Sequence, residues 1–150
     1  MLTATKIRIY PNAVQADKLA KAFGCARWYW NNSLAETQKV YQETGKGLGQ
    51  YQLNARLPQL KSEIEWLGET HSQVLQSVSL HLSRAFVNFF ERRAKYPQFK
   101  SKHRKQSIQY PQRMIAAGAV ATANGGTVSQ AKGRKSSVLA RAVEVRSPVL

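Results

Sequence analysis

The stretch SQVLQSVSLHLSRAFVNFFERRAKYP, Ser72–Pro97, decides how this chain is read. Leu75, Val78, Leu82, Phe86 and Phe89 recur at three- and four-residue steps, the period of one helical face. Val74, Ala85 and Phe90 widen that face. The spacing predicts a helix from about Ser72 to Arg93 with its apolar side in the core. Arg92, Arg93 and Lys95 gather where the helix dipole is negative. Tyr96-Pro97 stops the helix, because the residue before a proline is pushed out of the helical region.

Upstream, TKIRIYP (Thr5–Pro11) alternates, with Ile7 and Ile9 on one side and Lys6, Arg8 and Tyr10 on the other. That is the period of a half-buried strand, ended by Pro11. Asn12 is placed to cap a helix in which Leu19 and Phe23 lie one turn apart, and Gly24 reads as its stop or a tight corner. CARWYWNNSLAETQKVYQETGKG reads as a second helix, striped by Ala26, Trp30 and Leu34, and TGKGLG ends it. In YQLNARLPQLKSEIEWLGE, Pro58 and Gly68 restrict helix to one or two turns at a time. Downstream, SIQYP (Ser107–Pro111) alternates like the first strand. Asn124-Gly125-Gly126 makes a hairpin turn between AVATA and TVSQ, and SVLARAVEVRSPVL can supply a further strand.

Charge is distributed unevenly. The 150 residues carry 23 Lys/Arg and 8 Asp/Glu, a net +15, while 43% of them are hydrophobic. That is enough apolar material for a core, and the charge calls for a polyanionic partner. Residues 1–91 hold ten Lys/Arg and seven Asp/Glu; residues 92–150 hold thirteen and one. No run approaches the ~20 apolar residues of a membrane span, so nucleic acid is favoured over a membrane. The N-terminus has no apolar secretory core, and the single Cys25 provides neither a disulfide nor a cysteine zinc site. A reducing cytoplasm is expected.

Enzyme signatures are not assembled. His71, His81 and His103 share no ligand spacing, and Asp17 is the only aspartate. Paired carboxylates for two-metal chemistry, a Ser-His-Asp group and a Gly-rich phosphate loop are all missing. No catalytic residue, cofactor or metal is expected. The segment RRAKYPQFKSKHRKQSIQYPQ (Arg92–Gln112) holds seven Lys/Arg, no carboxylate and three aromatics. It reads either as a solvated linker or as a phosphate-tracking loop whose aromatics stack on bases or anchor it. GCARWYWNNSL (Gly24–Leu34) places Trp28, Tyr29 and Trp30 over about 200° of helix surface, so one of them must lie near solvent. Arg27, Asn31 and Asn32 make the remaining side rich in donors, suited to phosphate or base-edge contacts. A helix pair cornered at Gly24 also fits a helix-turn-helix.

The order of these segments resembles the amino-terminal part of the OrfB/TnpB proteins of bacterial insertion sequences. Arg8, Tyr10, Pro11 and Gln15 carry the likeness first, then Gly24, Arg27, Trp28, Asn31 and Leu34. Pro97, Phe99, Lys100, Ser101 and Lys102 continue it, followed by Ser107, Ile108 and Tyr110. The resemblance implies an RNA-guided DNA endonuclease family related to the type V CRISPR effectors. In that family a wedge-like β-barrel is interrupted by helical recognition elements, and a RuvC-like carboxylate centre and a cysteine zinc ribbon lie further along. None of those nuclease residues is present in residues 1–150. After SIQYPQR the likeness thins to NGGTV. The remaining tail is either frameshifted near Val128 or a diverged strand pair.

The expected fold class is therefore α+β, a helical bundle inserted in a small, incomplete β-barrel. Residues 1–11 and 107–130 would form the wedge-like β unit and 12–95 the helical insertion. Residues 96–106 would be a basic connecting loop and 131–150 a divergent tail. The expected partners are guide-type RNA and DNA. The expected contact residues are Arg8, Arg27, Trp28, Asn31, Arg92, Arg93, Lys95, Lys100, Lys102, Arg104 and Lys105. The alternatives are a free-standing helix-turn-helix regulator or a non-functional transposase remnant.

Overall fold

The computed structural model describes residues 12–108 in full and, beyond them, only the backbone of short strands. Helix α1 (Ala13–Thr44) begins at a capping box: Asn12 Oδ1 accepts from the Gln15 amide at 2.9 Å, and Gln15 Oε1 accepts from the Asn12 amide at 3.1 Å. It ends at Gly45, whose φ of 73° lies in the left-handed region that glycine adopts without cost. The expected break at Gly24 does not occur; α1 is one helix of 32 residues. A mid-helix glycine costs about 1 kcal/mol. Ala22, Cys25 and Ala26 around it are buried, and their packing holds the helix through it.

Helix α2 (Gln50–Glu63) likewise runs through Pro58, where one or two turns at a time were expected. Pro58 removes a hydrogen bond on the exposed side, while Leu53, Leu57 and Leu60 are buried on the other. A short α3 (Glu65–Gly68) leads to α4 (Ser72–Phe90), whose first turn is capped by His71 Nδ1 accepting from the Gln73 amide at 3.2 Å. The core lies among α1, α2 and α4. Tyr29, Leu34, Leu53, Leu67, Val74, Leu75 and Leu82 are almost wholly enclosed. The predicted α4 face is therefore core as far as Leu82. Beyond it the face opens, and Phe90 is 69% exposed.

Helix α4 ends at Phe90, with Glu91 as its C-cap, rather than at Arg93. The Arg93 amide donates to Asn88 O at 2.8 Å and the Arg92 amide to Phe89 O at 3.0 Å. These two bonds make a Schellman cap with Arg92 at the left-handed position, φ 59°.

The α+β barrel is overturned. Helix makes up 71% of the fully described span. Strand β1 (Ile9–Tyr10) pairs with β5 (Thr127–Gln130), and β5 pairs with β4 (Ala119–Ala121), which pairs with β3 (Ile115–Ala116). Strand β2 (Ser107–Tyr110) pairs only with β6 (Val143–Arg146), Ile108 opposite Val145. The first strand and Ser107–Tyr110 thus belong to different sheets of two- to four-residue strands, which close no barrel among the described residues. The β4–β5 pair flanks Asn124-Gly125-Gly126 as the sequence suggests. Strand β2 is held against the helices by Ile108, 3% exposed and part of their core.

Candidate nucleic-acid interface

The three consecutive aromatics of α1 divide their work by direction. Tyr29 is 0% exposed; its hydroxyl donates to Leu53 O at 2.9 Å and shares a 2.9 Å hydrogen bond with Ser79 Oγ. It ties α1 to α2 and α4. Burial raises the Tyr29 pKa above its ordinary value, because the phenolate would lose its hydration. Trp28 packs edge-on against Trp66 with ring centroids 5.3 Å apart. Trp30 turns toward the chain beyond α4, and its indole N–H donates to Gln98 O at 2.9 Å.

Trp30 is the first of a row of contacts. Two turns of helix present Arg27, Trp30, Asn31 and Leu34 on one side, and Gln38 follows. Asn31 clamps the backbone of Lys100 from both ends of its amide: Nδ2 donates to Lys100 O at 3.0 Å, and Oδ1 accepts from the Lys100 amide at 2.7 Å. Arg27 Nη1 donates to Gln106 Oε1 at 3.1 Å. Gln38 Nε2 donates to the Tyr96 hydroxyl at 3.3 Å. Pro97 is buried between these contacts. At the α4 end, Tyr96 meets Phe86 and Phe89 edge-on, centroids 5.7 and 5.1 Å away.

The segment 96–106 is thus not a free linker. It has no helix or strand, yet its backbone is fixed to α1 at Gln98 and Lys100. A turn at Ser101, where the Arg104 amide donates to Ser101 O at 3.2 Å, folds its far end. Gln106 Nε2 donates to Lys102 O at 3.0 Å. The cations are left over from this fixing. Arg92, Arg93, Lys95, Lys102, Arg104 and Lys105 are all exposed. Among them only Arg93 has a carboxylate, its neighbour Glu91, within the described residues. Lys100 differs. Its ammonium lies 4.0 Å from the centre of the Trp30 ring. Lost hydration there lowers its pKa.

Of the residues expected from sequence to touch nucleic acid, the structure therefore presents six outward. It engages Arg27, Trp28 and Asn31 within the fold, and Lys100, although exposed, lies against the Trp30 ring. Arg8 lies outside the described residues. Sequence reading missed Gln38, Gln98 and Gln106, for which no local pattern exists. Their contacts across the fold, with Tyr96, Trp30 and Arg27 respectively, join residues tens of positions apart. Among the described residues no group of three His, Cys, Asp or Glu side chains can hold a metal ion. No helix there is long and apolar enough to cross a membrane.

The described residues form a helical bundle crossed by a basic strap that is fixed to it. Residues 1–46 match the family model HTH_OrfB_IS605, described as a helix-turn-helix domain. The chain belongs to the OrfB/TnpB family of transposase-associated proteins and corresponds to their amino-terminal part. It is 35% identical over 106 residues to a "Putative RNA-guided DNA endonuclease" of Streptomyces pristinaespiralis, covering 69% of this chain and 26% of that protein. It is 30% identical over 113 residues to the "Putative RNA-guided DNA endonuclease InsQ" of Escherichia coli strain K12, covering 74% and 28%. The chain thus spans about a quarter of the length of these two relatives. "Virulence protein VsdF" of Salmonella dublin is 34% identical over 116 residues, 70% of this chain and 98% of that protein. Within residues 1–46, the described part is the short strand β1 and one continuous helix with its caps.

Proposed function

We propose that this chain binds nucleic acid through the strap of residues 92–106 and takes part in guide-RNA and DNA binding of the TnpB type, in the cytoplasm. Residues 12–95 would serve as the recognition helices and 96–106 as the basic connection. One observation carries the reading: the strap is anchored through its backbone and aromatics while six cations face solvent, five of them without a carboxylate among the described residues. Anchoring fixes where the charges stand, and the lack of carboxylates leaves them for phosphates. The relatives named as RNA-guided endonucleases support RNA and DNA as the polyanions. By itself this chain would bind without cutting. Metal-dependent cleavage by the purified protein, abolished by a point substitution in it, would contradict that.

Affinity measured against salt tests the binding. On duplex DNA each neutralised phosphate contributes about −0.9 to the slope of log K against log salt. Replacing Lys102, Arg104 and Lys105 by Gln should flatten the slope by about 2.7 units and leave the fold intact. Equal slopes for wild type and variant would sink the strap as the binding element. Structured RNA, duplex DNA and heparin compared at one salt concentration separate the proposed role, which favours RNA, from a duplex-specific regulator and from a remnant that binds all three alike.

A further inference from the structure

A small cleft, about 40 Å³, opens where α1, α4 and the chain entering β2 meet. Phe23, Trp30, Val78 and Ile108 make its apolar wall. Arg27, Lys100, His81 and Ser107 also line the space, and among the described residues no carboxylate does. The ion pairs of the described residues join Lys21 to Asp17, Arg56 to Glu36 and Arg93 to Glu91. None reaches the cleft. Among the described residues the Arg27 guanidinium meets the neutral amide of Gln106, and the Lys100 ammonium meets a ring face. Two cations therefore share one small, partly apolar space with no counter-charge among the described residues.

We infer that this cleft seats a single phosphate group between the Arg27 guanidinium and the Lys100 ammonium, with Ser107 as a neutral donor. Size supports this. The cleft is a few times larger than one water requires, the scale of one tetrahedral oxyanion and too small for a nucleobase. Charge supports it as well, since an ionised group facing an apolar wall gains more from a counter-ion than it would in open water. Guanidinium and ammonium together give fork and point-charge contacts to phosphate oxygens. The phosphate has two sources, the backbone of a bound strand or a free phosphate monoester. Only the first rests on the nucleic-acid reading above.

The test is a two-dimensional NMR titration of the full chain with inorganic phosphate. The Trp30 indole signal, beside Lys100, should shift saturably, and the Trp66 indole, packed on Trp28, should not. Lys100→Met and Arg27→Gln should each weaken the phosphate affinity about tenfold or more, the loss expected for one charged hydrogen bond. Lys100→Arg should keep it, and Lys39→Gln, an exposed cation elsewhere on α1, should bind as wild type. A weak drift over all basic residues that never saturates, or equal affinity in Lys100→Met and wild type, overturns the seat. The Lys100 substitution lies on the strap, so it serves even where Arg27→Gln fails to fold. A second arm measures RNA. If Lys100→Met lowers RNA affinity and flattens its salt slope by roughly one contact, the strand supplies the phosphate. An unchanged RNA slope with lost phosphate binding assigns the seat to free monoesters. Phosphate binding without any RNA binding would refute the proposed function and leave the seat standing.

Discussion

Asn31→Ala is the substitution that separates a strap-positioning residue from one that touches nucleic acid. In the free protein the Asn31 amide makes two hydrogen bonds to the Lys100 backbone, at 3.0 and 2.7 Å. Each such bond contributes about 0.5–1.5 kcal/mol net, so removing both should favour local opening of the strap by roughly 1–3 kcal/mol. The remaining anchors, Trp30 to Gln98 O and Gln38 to Tyr96, stay in place. The effect should therefore be confined to residues near Lys100. Amide hydrogen exchange reads it directly. In the fast-closing regime, a loss of about 2 kcal/mol speeds exchange of the Lys100 amide by roughly 30-fold. The core amides of α1 and α4 should not change. Nucleic-acid affinity should fall as the competent fraction falls, while the salt slope keeps its value because no cation is lost. Unchanged Lys100 exchange in Asn31→Ala would refute the clamp. A loss of affinity with that exchange unchanged would instead place Asn31 at the ligand.

Three further outcomes follow from the fold. Tyr29→Phe removes a buried hydroxyl that serves Leu53 O and Ser79 Oγ and should cost about 1–3 kcal/mol by denaturant unfolding. The raised Tyr29 pKa means that its contribution is fully present below the ordinary tyrosine value of 10.0 and is lost as pH rises through the folded value. Alkaline destabilisation above pH 10 should thus be smaller in the variant. Gly24→Ala should stabilise α1 by about 0.5–1 kcal/mol in thermal unfolding, since an added Cβ would meet only Arg27 Nη2, at 4.0 Å. Arg92→Gly should relieve the left-handed strain at φ 59°, raising stability by about 1 kcal/mol, while lowering nucleic-acid affinity and flattening the salt slope. Unaltered binding would remove Arg92 from the interface.

What the sequence made legible were features written locally and repeated. The α4 stripe reads correctly from Leu75 to Leu82 because those residues meet α1 and α2 at each turn. The same period misleads at Phe90, which points past the end of that packing and is exposed. Gly24 and Pro58 misled for the opposite reason. Both carry strong local signals for a break, and in both places burial on the neighbouring turns outweighs about 1–3 kcal/mol of backbone preference. The barrel failed because short alternating segments state that a strand forms but not which strand it joins. Ile9 pairs with Gln130, and Ile108 with Val145, in separate sheets. At the interface, the run of cations was plain in the composition. The clamp was not, because Asn31 and Lys100 are 69 residues apart and nothing local to either marks the pair.

The arrangement of that clamp explains how seven like charges between Arg92 and Lys105 are tolerated in a fixed geometry. Like charges repel, and carboxylates that quenched them would also occupy them. Here the anchors make no use of those seven charges, except at Lys100. The indole of Trp30 takes a carbonyl, the amide of Asn31 takes a carbonyl and an N–H, and Gln38 takes a phenol. Tyr96 is wedged between Phe86 and Phe89. Because these contacts are made by neutral groups, salt that screens the cations should leave the strap in place. It follows that raising ionic strength should weaken nucleic-acid binding well before it loosens the strap. The two effects therefore separate in one experiment: exchange of the Lys100 amide followed over the same salt range as affinity. If the strap opened in step with the loss of affinity, its order would depend on its charges, and the account of an anchored, outward-facing cationic surface would be wrong.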